Sequence, residues 1–257
     1  MSGSLGSGPV PAAQPGTGFP LPDLGALPGV ADAVRAAESA LQRLHRLPAN
    51  LRGWPRTAAA AAVRSARLSA ALEASSPAGT ADPRTGAPAG ALRVAAELPE
   101  LVALWGRAPL QVLARLHVLA ASGLEPPLPP DQLGRPTGAP GAAALAAVAR
   151  LALDRPWPVV ITAAVLQAEL VVTRPFGSAD GVVARAASRL TLMSAGLDPR
   201  GLSVPEVGLG SDRAGYLASA RRFFDGGDPG RAGWLLLFAG ALAVGAEEGS
   251  RLSVPPR

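Results

Sequence analysis

Apolar residues first fall into a helical rhythm at Val30, Val34, Ala37, Leu41 and Leu44, a stripe that predicts one helix ending before Pro48. A second helix is predicted from about Arg56 to Ser75, carrying Val63, Leu68 and Leu72. The stretches 91–97, 110–122, 141–153 and 158–172 keep the same spacing, broken by proline-rich turns at 126–130 and 155–158. A helix from Asp180 to about Ala195 closes at Gly196, and two more run from about Asp212 to Phe224 and from Pro229 to Glu247. Ser203-Val204-Pro205-Glu206 has the shape of a capping box, with Ser203 as the cap. No pair of strands and no solenoid-length repeat is visible in the pattern, so the expected fold class is all-α, a helical bundle.

The rhythm is absent at both ends of the first two helices. Residues 1–22 are Gly, Ser and Pro with few apolar anchors, and 75–90 (SSPAGTADPRTGAPAG) has the same character. Such segments bury too little to offset the entropy of ordering them. The expected organisation is a flexible tail over 1–27 and one helical domain over 28–250. That domain divides into N-terminal helices at 28–75, a linker at 76–90 and a core at 91–250.

Composition narrows the chemistry. Alanine dominates the apolar residues and aromatics supply only 4%, which favours helices over sheets. All 24 basic residues are arginines, which reads first as the codon bias of a GC-rich genome. The net charge of +5 is spread among acids along the helices and forms no basic block, so nucleic acid is not an expected partner. Without cysteine there is no disulfide, thiolate metal site or cysteine nucleophile, and two separate histidines do not make a zinc site. The N-terminus lacks a signal-peptide pattern, and the most apolar stretch, Trp234 to Ala246, is shorter than the roughly 20 residues of a membrane span. A cytoplasmic protein with no membrane partner is expected.

One segment carries chemistry: Arg174-Pro175-Phe176-Gly177-Ser178-Ala179-Asp180-Gly181-Val182-Val183-Ala184-Arg185. A glycine-bearing turn opens a helix there, and free N–H groups at a helix N-terminus suit phosphate, with an arginine one turn in to clamp it. The segment resembles the Fic motif H-P-F-x-D/E-G-N-G-R-x-x-R. Upstream, Leu113-Ala114-Arg115-Leu116-His117 and Gly134-Arg135 are similar to that family's leucine-histidine helix and Gly-Arg segment. Downstream, Gly196-Leu197, Ser203, Tyr216, Asp228 and Trp234 fall where Fic proteins carry further signatures. Ser69-Ala70-Ala71-Leu72-Glu73-Ala74 resembles the inhibitory helix motif S/T-x-x-x-E-G/N without its last residue.

The resemblance implies a Fic (Fido) fold over roughly residues 28–246 and, in an intact family member, transfer of a nucleotide monophosphate, usually AMP, to a protein hydroxyl. It also implies a latch in which Ser69 and Glu73 reach Arg185 and block the nucleotide. The departures bear on mechanism. Arg174 replaces the histidine that acts as base, and a guanidinium does not deprotonate below a pH of about 12. Ser178 replaces the acid that would hold Mg²⁺, Asp180 replaces an asparagine, and Val182 replaces the first arginine clamp.

The expected anion or nucleotide site is therefore Arg174, Gly177, Ser178, Asp180, Gly181 and Arg185, with Ser69 and Glu73 as latch. No residue is assigned a catalytic role. ATP or another nucleotide is the candidate ligand, metal is doubtful, and an unidentified protein partner is the other candidate. The leading expectation is a catalytically degenerate Fic-fold protein acting by binding. Its rivals are a non-standard transferase using Asp180 or Glu169 as base or metal ligand, and a plain helical interaction module. The plainer reading of Arg174 and Asp180 is that they pair across the loop. Three smaller expectations remain: His45 and His117 are structural, Trp105, Trp157 and Trp234 pack in the core while Trp54 is exposed, and Arg221-Arg222 beside Phe223-Phe224 ends an amphipathic helix.

Overall fold

The computed structural model describes residues 22–74 and 86–254. Among them the chain forms helices α1 (Val30–Arg46), α2 (Pro48–Ala74), α3 (Ala87–Trp105), α4 (Pro109–Ala121), α5 (Gly138–Asp154), α6 (Val159–Thr173), α7 (Asp180–Ser194), α8 (Glu206–Ser211), α9 (Arg213–Asp225) and α10 (Gly227–Leu252). Single 3₁₀ turns lie at Leu24–Ala26 and Pro130–Gln132. The expected all-α class holds.

α6 and α7 form the centre, α6 because its sequence leaves no polar face and α7 with its polar residues Arg185, Ser188, Arg189 and Thr191 buried among partners. VVITAAVLQAELVVT is apolar around its whole circumference, and a helix of that kind is stable only when surrounded. Around them lie two main apolar clusters. One joins α3, α4, α5 and α7 through Leu98, Leu113, Leu116, Val148 and Leu190. The other joins α1, α6, α9 and α10 through Val34, Ile161, Tyr216, Trp234 and Phe238. Trp105 and Trp234 are fully buried with their indole N–H groups satisfied, by Thr191 Oγ1 at 3.1 Å and the Ala164 carbonyl at 2.9 Å. Trp157 is only half-buried, and Trp54 is exposed beneath the Arg200 guanidinium, 5.1 Å from the ring centroid.

Proline misleads the local pattern in two places. α2 extends back to Pro48 and runs through Pro55, and α3 runs through Pro99 to Trp105, well past the expected end near Glu97. An interior proline costs about 3 kcal/mol, but Leu101 and Trp105 bury enough surface beyond Pro99 to carry the helix on.

Three further expectations are corrected. Residues 22–27, placed in the tail, are ordered: Leu24 is buried, Asp23 caps the Gly25 N–H at 3.1 Å, and the Trp157 indole donates to the Pro22 carbonyl at 2.9 Å. The linker's last residues, 87–90, are the first turn of α3, where Gly90 lies so close to the Ala120 carbonyl that no Cβ fits. Ser203 does not cap a helix; its hydroxyl donates to Asp198 at 2.6 Å and Pro205 stands at the start of α8. Residues 1–21 of the tail and 76–85 of the linker lie outside the described residues.

α10 also exceeds its expected length. Its 26 residues are long and apolar enough to cross a membrane by length and composition, contrary to the reading of Trp234 to Ala246 alone. Half of its most apolar window is buried against the neighbouring helices, α1 and α9 foremost, which accounts for the composition without a bilayer.

Candidate functional site

The 174–185 segment joins the two central helices. α6 ends with Arg174 in the left-handed region (φ 48°), followed by Gly177 (φ 74°) and Ala179 (φ 52°). Glycine takes such angles freely, whereas Arg174 and Ala179 are held there at a cost of about 1–2 kcal/mol each. The turn brings Asp180 and Gly181 to the N-terminus of α7, where backbone N–H groups are unpaired by the helix itself.

Two carboxylates of the chain occupy that end. Asp180, 1% exposed, folds back so that Oδ1 accepts the Phe176 N–H at 2.8 Å. Its Oδ2 has no hydrogen bond, and Arg174 Nε lies 3.9 Å away, so the expected pairing across the loop is present but loose. Glu73 reaches the same turn from α2: a methyl group added at Gly181 would overlap its Oε2. Only glycine permits that approach.

Arg185 meets the two residues expected to contact it. Its Nε donates to Ser69 Oγ at 2.8 Å, one terminal nitrogen donates to the Ser69 carbonyl at 2.7 Å, and the same nitrogen stands 3.5 Å from Glu73. Tyr216, buried on α9, lies near Arg185 and accepts from Gln167 at 3.3 Å. The structure thus brings together Ser69, Glu73, Gly181 and Arg185, with Asp180 and Arg174 beside them.

Ser178 points elsewhere. It is buried, and its hydroxyl lies 3.1 Å from His117 Nε2. The His117 Nδ1 accepts the Gly134 N–H at 2.9 Å, so the ring proton is on Nε2 and Ser178 Oγ is the acceptor. Burial lowers the imidazole to about 4, partly offset by its bond to Ser178, and the ring stacks on Phe176 at 4.3 Å. A neutral histidine whose free lone pair is taken by Gly134 cannot activate the serine. His117 is structural, as expected, but its serine neighbour was not foreseen.

A second buried pair went unnoticed in the sequence. Arg189 donates to Ser65 Oγ at 2.8 Å and stands 3.3 Å from Glu206. Ser65 and Ser69 on α2 are four residues apart, as are Arg185 and Arg189 on α7, so the helices meet through two serine–arginine–glutamate sets in register. His45, also structural, has a carboxylate neighbour: Asp198 Oδ1 at 2.8 Å. Glu169 is half-buried on α6, and burial raises its carboxyl.

Asp180 has the clearest electrostatic signature. Burial pushes its carboxyl from 3.8 up to about 7; Glu73 adds to the rise, while Arg174 and the N–H groups of Phe176 and Gly177 oppose it. A raised carboxyl means the folded chain holds a proton that the unfolded chain releases, so stability falls as pH rises from about 3.8 to about 7 and then levels. Asp180→Asn keeps the acceptor for Phe176 and removes the titration. Its melting temperature is expected to exceed that of the wild type by a margin that widens across this window, reaching several degrees at pH 8; a margin independent of pH would contradict the assignment.

Fold and loop together define an all-helical protein in which a glycine turn opens a central buried helix against an acidic residue from an N-terminal helix. By sequence, no protein-family model and no curated protein matches the chain. By structure it is similar to a Fic family protein from Desulfovibrio desulfuricans G20, with a TM-score of 0.68 over 92% of this chain and 78% of that one at 15% identity. The fold is therefore Fic-like.

Proposed function

We propose that the chain is a catalytically degenerate Fic-fold protein that acts by binding, with a nucleotide-like anion or a protein partner, in a regulatory role. The observation that carries this reading is the double occupation of the α7 N-terminus by Asp180 and Glu73, where a phosphate would need bare donors. Arg174 supplies no base, and Ser178 is turned to His117 and supplies no charge for a hard cation. Phosphoryl transfer depends on positioned base, metal and clamps, so their loss removes most of the rate.

The transferase alternative draws on one fact, the Asp180 carboxyl near 7, since such a group exchanges protons at neutral pH. Incubation with α-labelled ATP, GTP, CTP and UTP, with and without Mg²⁺ or Mn²⁺, separates the two. The expected outcome is no label on the chain or on lysate proteins, from the wild type or from Glu73→Ala. Calorimetry should register nucleotide binding only once Glu73 is removed. Label transfer that disappears in Asp180→Asn would establish the transferase instead.

A further inference from the structure

A cavity of about 250 Å³ lies between α2, α3 and α7, behind the latch. It begins at Ser69, Val182 and Arg185, at the α7 end of the 174–185 segment, and runs from there as far as Ala58 on α2 and Arg200 beyond the end of α7. The space exists because α2 faces α3 and α7 with alanines: Ala62 and Ala66 are opposed by Ala91, Val94 and Ala186, and such short side chains cannot fill the gap between three helices.

Its charges are unequal. Three arginines, Arg185, Arg189 and Arg200, are among its lining residues against the single acid Glu206. Arg185 is matched by Glu73 and Arg189 by Glu206. Among the described residues Arg200 faces no carboxylate; it donates to the Asn50 carbonyl at 3.1 Å and covers Trp54. An apolar channel with an unneutralised guanidinium at one end is complementary to a molecule with a short hydrocarbon body and one anionic head.

We infer that this cavity is a binding site for a small amphipathic carboxylate of medium-chain fatty-acid size, its head at Arg200 beside Arg189 and its chain along the alanine wall. The site shares Arg185 and Ser69 with the cluster at the 174–185 segment, but its proposed head group lies at the far end, so the test at Arg200 does not depend on whether the loop binds a nucleotide. Because an occupant touches both α2 and α7, it strengthens the seam that the latch already closes, and the bound chain melts at higher temperature.

Titration calorimetry of the full chain with octanoate, octanol and octylammonium tests this. One octanoate is expected to bind per chain and raise the melting temperature, with octanol about tenfold weaker for want of the charged contact and octylammonium not binding. Arg200→Gln is expected to weaken octanoate about tenfold and leave octanol unchanged. Ala62→Phe, which fills the channel, is expected to abolish both while the helical circular dichroism persists. Absence of saturable octanoate binding to the wild type, equal affinity for octanol, or octanoate affinity unaffected by Arg200→Gln would each overturn the assignment, the last even if Ala62→Phe fails to fold.

Discussion

Asp198→Ala is expected to destabilise the chain by about 4 kcal/mol, a fall in melting temperature of roughly 10 °C. The carboxylate is buried and accepts four contacts: the Leu202 N–H at 2.9 Å, the Ser203 N–H at 3.1 Å, the Ser203 hydroxyl at 2.6 Å and His45 Nε2 at 2.8 Å. Removing it leaves buried donors without acceptors, each costing about 1–3 kcal/mol. The loss spreads because Asp198 ties the segment after α7 to α1, and that segment leads into Glu206, the partner of Arg189.

The pH dependence identifies the mechanism. Burial alone would raise the Asp198 carboxyl, but the hydrogen bonds from His45, Ser203 and Leu202, with the charge of Arg189, hold it below its ordinary value of 3.8. A depressed carboxyl stabilises the fold at pH above the unfolded value and loses that contribution as pH falls through its lower folded value. The wild type is therefore expected to lose stability steeply below about pH 4, and Asp198→Ala to show a shallower acid limb. Parallel acid limbs in the two proteins would refute this account.

Glu73→Gln is expected to cost roughly 3 kcal/mol, the lower end for a broken buried pair. Arg185, 5% exposed, keeps both Ser69 hydrogen bonds and so is not wholly stranded. Glu73 serves a second cation as well: burial lowers the Arg213 guanidinium, neighbouring Arg185 lowers it further, and Glu73 alone among the named influences supports its charge. Against this stands one relief, since Glu73 also raises the Asp180 carboxyl and its removal eases that repulsion. Two cations lose a counter-charge while one carboxylate loses a repulsive neighbour, so the net effect is loss. Thermal melts at pH 7 check it. An unchanged melting temperature together with the appearance of AMP transfer would show that Glu73 is a regulatory plug and no structural partner.

Sequence alone determined most of the helices and their order. Apolar spacing of three and four residues is a local property, and α1 buries the stripe Val30, Val34, Ala37, Leu41 and Leu44 that the spacing marks. It also determined the candidate loop, because a glycine turn between two long apolar helices is legible wherever it stands, and the meeting of Ser69 and Glu73 with Arg185 was legible through resemblance.

Tertiary structure decided the rest, for reasons that lie outside any local window. The continuation of α3 beyond Pro99 rests on what Leu101 and Trp105 bury against, and the order at residues 22–27 on a pocket supplied by Trp157 and its neighbours. The role of Ser178 turned on a partner 61 residues away, His117, which a solvated loop would have left unmatched. The second arginine set, Arg189 with Ser65 and Glu206, and the alanine channel behind it exist only where α2, α3 and α7 meet. Burial is a property of that meeting, and it is burial that shifts the Asp180 carboxyl to about 7.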